Sequence, residues 1–88
     1  MDHAEIIRRY IVDEFVYSEE DARRLTTDAS LLAEGVLDSV GILSVITFLT
    51  ETFGIHIEND EVVPDNLESI DAMAAFVARK RAVTRAAA

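Results

Sequence analysis

A chain of 88 residues with a formal charge of −9 has room for one modest core and none for a conventional cleft between two layers. It contains no cysteine, which excludes disulfides, thiolate metal sites and cysteine nucleophiles and fits a cytoplasmic protein. Residues 1–78 hold all 17 acids and only four of the eight bases, and so carry −13, while Arg79, Lys80, Arg81 and Arg85 supply the other four bases. A body this acidic repels phosphate backbones, so no nucleic-acid partner is expected, and a basic protein surface would be steered towards it.

The opening MDHAEIIRRY is charged from its second residue and has no apolar h-region, so no signal peptide is expected. Asp2 and Glu5 have the spacing of an N-cap and its partner, and Ile7, Tyr10, Ile11 and Phe15 follow at i, i+3, i+4 and i+8. The spacing predicts an amphipathic helix over about residues 3–16. A long connection runs from Tyr17 to Leu37. In it Ser18 and Asp21 are spaced to cap a short turn, residues 26–30 are turn-rich, and Leu25, Leu31 and Leu32 read as loop anchors. A connection of that length in a small domain is functional or pinned by apolar side chains.

From Ser39 the apolar residues Ile42, Val45, Ile46, Leu49 and Phe53 keep one helical stripe, and Gly54 follows as a C-cap. The run Val40 to Leu49 is broken by Gly41, Ser44 and Thr47 and is about half the length that spans a bilayer, so no membrane insertion is expected. Ile55-His56-Ile57 reads as an extended link, residues 59–63 as a stub of helix, and Pro64 as an interruption. Ser69 then caps a last helix whose buried stripe is Ile70, Met73, Ala74 and Val77, with Phe76 also in the core. The cluster Arg79-Lys80-Arg81 is expected at the C-terminal end of that helix, complementing its dipole. The sum is one all-α domain over residues 1–88, with a core of about 3–83 and a frayed tail at 84–88. It has three main helices, one short helix and a long first loop.

The stretch EGVLDSVG (34–41) sets Asp38 and Ser39 at the head of the second main helix. Backbone N–H groups without intrahelical partners gather there, and an anionic phosphodiester on the Ser39 hydroxyl would suit the helix dipole. The plainer reading is that Asp38 caps the helix and Ser39 is an ordinary first-turn residue. Val40, Leu43 and Thr47 lie away from the core stripe, and Glu51 is the only charge between Ser39 and Phe53. A helix with a second apolar face is either buried all round or meets a partner, and in so small a domain a partner is expected. Hydrolase chemistry at Ser39 lacks the glycine two residues before the nucleophile, and neither His3 nor His56 is brought near it by the sequence. Residues 56–61 have neither the ligand spacing nor the glycine of a calcium loop, and read as a solvated acidic turn; no metal site is expected.

The segment LLAEGVLDSVGILSVITFLTETFGIHI resembles the centre of the acyl and peptidyl carrier proteins, and the resemblance extends from the first helix to PDNLESIDAMAAFV. The resemblance implies a four-helix bundle that is not an enzyme and works as a monomer. It implies that Ser39 receives 4'-phosphopantetheine from coenzyme A, and that Asp38 helps the phosphopantetheinyl transferase and its magnesium engage the loop. It further implies that Val40, Leu43 and Thr47, with Glu51 beside them, dock partner enzymes. Fatty-acid carriers of the family read Gly-x-Asp-Ser and bear a row of acids along this helix. Here two residues separate Gly35 from Asp38, and Gly41, Ser44 and Thr50 stand where acids are usual. That pattern is closer to D-alanyl carriers and to stand-alone carriers charged by separate AMP-forming acyl or aminoacyl ligases, which pass the thioester to downstream enzymes. The competing expectation is a carrier-like helical adaptor that is never modified and binds partners through the same face.

Overall fold

Side-chain caps mark where four of the helices among the described residues begin. In the computed structural model, which describes residues 2–87 and their side chains as far as Val83, Asp2 accepts the Glu5 N–H at 2.8 Å and opens α1 (His3–Phe15). Ser18 accepts the Asp21 N–H at 3.0 Å and opens α2 (Glu19–Arg24). Asp38 opens α3 (Ser39–Phe53), which ends at Gly54 with φ +64°, a left-handed conformation that glycine adopts without strain. After a 3-10 turn (Asn59–Glu61) come α4 (Pro64–Leu67) and α5 (Ile70–Ala87), the latter preceded by Ser69, whose hydroxyl accepts the Ala72 N–H at 3.0 Å. Each such cap contributes about 1 kcal/mol. The all-α architecture with a long first loop is the one expected, with a second short helix inside that loop. Nothing in the apolar pattern announces α2, because it buries none of its residues; Arg8 ties it to α1 by donating to the Ala22 carbonyl at 2.6 Å.

The core is one cluster in which α1 gives Ile7 and Ile11, α3 gives Val45, Leu49 and Phe53, and α5 gives Ile70, Met73, Phe76 and Val77. Leu31, Leu37, Ile55 and Leu67 complete it from the connections and from α4. α5 packs against α1, α4 and α3, so it is the element on which the others lean. α1 meets α3 through rings: Tyr10 stacks on Phe48 with centroids 3.9 Å apart, while Phe53 meets both Phe48 and His3 edge-on. Burial of the Tyr10 phenol, with the charge of Glu14 adding to it, raises its pKa above the ordinary value.

Three expectations are corrected. Pro64 does not interrupt the chain but starts α4, where its fixed φ and missing N–H suit the first helical position. Leu32 is no anchor, being 44% exposed, whereas its neighbour Leu31 is fully buried. The Arg79-Lys80-Arg81 cluster is not at a helix end, because α5 runs on to Ala87. Instead Lys80 pairs with Glu61 at 2.9 Å, and Arg79 donates to Asn66 Oδ1 at 2.9 Å. The Asn66 amide in turn donates to the Glu61 carbonyl at 2.9 Å. The expected frayed tail at 84–88 has helical backbone as far as Ala87; its side chains, and Ala88 altogether, lie outside the described residues.

Leu31 fastens the long loop. Its N–H donates to the Glu68 carbonyl at 2.8 Å, and its own carbonyl accepts from Val36 at 2.9 Å and Leu37 at 3.1 Å. Beside it, the Asp71 N–H donates to the Thr27 carbonyl at 2.9 Å and the Thr27 hydroxyl to the Asp71 carboxylate at 3.1 Å. Leu31→Ala is expected to cost about 2–5 kcal/mol, read as a lower midpoint in urea unfolding followed by circular dichroism. The Glu61 carboxyl is held below its ordinary value of 4.5, first by the Glu58 backbone N–H and then by Lys80. A carboxyl lowered in the folded state adds stability above its unfolded pKa and loses it as pH falls through the folded one. Glu61→Gln is therefore expected to unfold earlier than the parent at neutral pH, with the difference closing as the solution is acidified below about 4.5; urea midpoints across that range check it.

Candidate functional site

Leu37, buried in the core, delivers the chain to the head of α3 and fixes where Asp38 and Ser39 emerge. Asp38 is extended (φ −121°, ψ −173°) and its Oδ1 accepts the Gly41 N–H at 2.7 Å, while its carbonyl accepts the Ile42 N–H at 3.0 Å. The Asp38 side chain thereby satisfies the Gly41 amide, and those of Ser39 and Val40 have no intrahelical acceptor. Ser39 is exposed, and among the described residues its hydroxyl has no hydrogen-bond partner. The result is a free hydroxyl beside two outward amides at the positive end of a 15-residue helix.

Gly41 is buried directly beneath this head. A Cβ there would stand 3.2 Å from both the Leu37 and the Phe15 side chains, tighter than an ordinary contact. Gly41 thus faces inward: it lets the first turn of α3 sit down on the end of α1.

On the outer face of α3, Val40 is 72% exposed and Leu43 is 65% exposed, and Thr47 and Glu51 are exposed as well. The four residues expected to face a partner therefore form one solvent-facing strip below Ser39. The Thr47 hydroxyl donates back to the Leu43 carbonyl at 3.2 Å, which leaves its methyl to the strip. Ile42 and Ile46 are only partly buried, so the inner stripe of α3 is narrower than the pattern predicts. Ile42 instead forms one wall of an apolar groove of about 120 Å³, whose other walls are Leu32, Val62, Val63, Pro64 and Leu67. Ile42 lies about one helical turn past Ser39, which puts the groove at the side of the serine. A larger cleft of about 420 Å³, between α2 and the loop ahead of α3, carries Asp21, Arg24 and Glu34 among its walls and is too polar for an apolar chain.

The histidines lie elsewhere. His3 meets Phe53 edge-on at 5.1 Å, at the opposite end of α3 from Ser39, about 20 Å along the axis. His56 Nε2 pairs with Glu58 at 3.0 Å in an exposed turn. Among the described residues no cluster of three or more histidine, cysteine or acidic side chains is gathered to hold a metal ion, and no helix is long and apolar enough to cross a membrane. The groove is what residue-by-residue reading misses, since its walls come from three segments of the chain.

No family model and no curated protein matches the chain. Among solved structures four chains match it. One is the solution structure of a holo acyl carrier protein from Nitrosomonas europaea, 31% identical, with a TM-score of 0.72, covering 93% of this chain and 99% of its own. The chain belongs to the acyl carrier protein family.

Asp38→Ala removes the side-chain acceptor of the α3 cap and is expected to destabilise the fold by about 1 kcal/mol, while Asp38→Asn, which keeps an oxygen there, costs less. Urea midpoints of the two variants, compared with the parent, check the order.

Proposed function

We propose that this protein is a discrete carrier whose Ser39 bears 4'-phosphopantetheine. The observation that carries the reading is the exposed Ser39 hydroxyl at the first position of α3 beside two unpartnered amides. These residues suit the group: a phosphodiester at Ser39 meets the amides of Ser39 and Val40 and the positive end of the helix, and Asp38, turned to Gly41 by its cap bond, does not cover the hydroxyl. When bound, the group supplies a thiol that holds an acyl or aminoacyl residue as a thioester. The chain's own part is to present the attachment point and to be recognised, and tethering then raises the local concentration of cargo at each docked enzyme. The isolated chain is expected to turn nothing over.

Val40, Leu43 and Thr47 are the docking contacts in this reading, with Glu51 as their single charged neighbour. Across the length of α3 that is one acid, so partners read shape and apolar area more than charge. This supports a specialised carrier, which in the proposed reading is cytoplasmic and monomeric, loaded by a separate AMP-forming ligase and served by a phosphopantetheinyl transferase and downstream acyl-transfer enzymes. The apolar groove beside Ser39 supports a cargo with an apolar portion. Its volume is close to the ~150 Å³ of a cavity that accepts benzene, which matches a short chain rather than a long one.

Intact mass after incubation with coenzyme A, magnesium and a broad-specificity phosphopantetheinyl transferase tests the attachment site. The parent is expected to gain one phosphopantetheine and Ser39→Ala none, with both variants equally helical. A folded parent that several transferases leave unmodified sinks the reading, and the unmodified adaptor that uses the same α3 face replaces it.

A further inference from the structure

The apolar groove has a polar fastening behind one of its walls. α4 packs chiefly on α5, so the gap between α3 and the 62–67 segment depends on how that segment is held to α5. Val62 and Val63 are each 38% exposed, and facing them across the gap is Ile42. Apolar walls separated by water are driven together, and closing this gap would bury all three.

What opposes closure lies on the α5 side of the segment. Glu61 and Asn66 bracket the two valines in sequence, and each is held from α5: Glu61 by Lys80 at 2.9 Å and Asn66 by Arg79 at 2.9 Å. The Asn66 amide bonds the Glu61 carbonyl, closing a ring of ties around the segment, and buried Leu67 pins its end. The Lys80 and Glu61 side chains are only 24% and 27% exposed, so this pair is screened less than a surface one.

We propose that Lys80 and Arg79 are positioning residues that, through Glu61 and Asn66, hold the groove open beside Ser39 for the apolar portion of the carried group. The identity of that natural occupant rests on the carrier reading; the groove and its fastening do not. Without the ties, Val62 and Val63 settle against Ile42 and the space is lost.

The test uses n-hexanol on the full chain carrying Ser39→Ala, so that no covalent arm takes part, with binding followed through the methyl resonances of Val62, Val63, Leu32 and Ile42. Lys80→Met is expected to bind hexanol about five-fold more weakly, with new proximity between the valine methyls and Ile42 in the free protein. Lys80→Arg is expected to restore the parent affinity, and the core methyls of Ile11 and Leu49 to stay where they are. Should Lys80→Met lose its helical signal, Glu61→Gln carries the same comparison, because it weakens the tie while keeping an acceptor for the Glu58 N–H. Equal or tighter hexanol binding by the folded variant overturns the proposal, as does a parent that binds none. Modification of the Ser39 chain, read separately by mass, decides the carrier reading, so the two can fail independently.

Discussion

The placing of Leu31 is the constraint on which the rest of this molecule depends. Residues 16–38 link α1 to α3, and α2, the only helix among them, buries nothing. Left to itself such a connection would wander, and α3 would begin wherever the loop allowed. Leu31 prevents this with a fully buried side chain and one backbone bond to Glu68 that ties the loop to the junction of α4 and α5, while its carbonyl gathers Val36 and Leu37 within the loop. Six residues later Leu37 is buried in turn, so the short path between two anchors leaves Asp38 and Ser39 little freedom of position. The serine emerges where it does because Leu37, two residues before it, is buried.

Much of this arrangement was legible in the sequence, for a physical reason. Asp2, Ser18, Asp38 and Ser69 each precede a helix and each accepts the N–H three residues on, a rule that needs no knowledge of the fold. Gly54 likewise ends α3 through a backbone conformation open chiefly to glycine. Ile7, Ile11, Val45, Leu49, Met73 and Val77 are buried because a periodic stripe has only one way to face inward. The candidate site inherited that legibility: Ser39 and the strip of Val40, Leu43 and Thr47 sit on the outer side because the inner side was already determined.

What the sequence did not disclose are the features settled by a distant neighbour. Pro64 can stop a helix or start one, and its local sequence is the same in both cases. Lys80 would complement a helix terminus if α5 ended there, but Glu61, 19 positions earlier, lies within reach and the helix continues. Leu31 and Leu32 are the same residue type side by side, and it is Leu31, bonded to the distant Glu68, that is buried. Gly41 faces Phe15, 26 positions away, so its purpose is invisible to any local pattern. Lys80, Leu31 and Gly41 are each placed by a contact between segments, which one chain read in order does not display.

The cap on α3 has a bearing on denticity. Asp38 commits Oδ1 to the Gly41 amide at 2.7 Å, and that bond closes the first turn from which Ser39 projects. In the proposed carrier reading, a divalent cation brought to the serine by a modifying enzyme would meet a carboxylate with one oxygen already in use. Coordination through Oδ2 alone leaves the turn wound and the hydroxyl where it is. Chelation through both oxygens would take the Gly41 amide's partner away and let the head of the helix unwind, moving the hydroxyl that the reading has modified. A one-handed grip is the only one that keeps its target still.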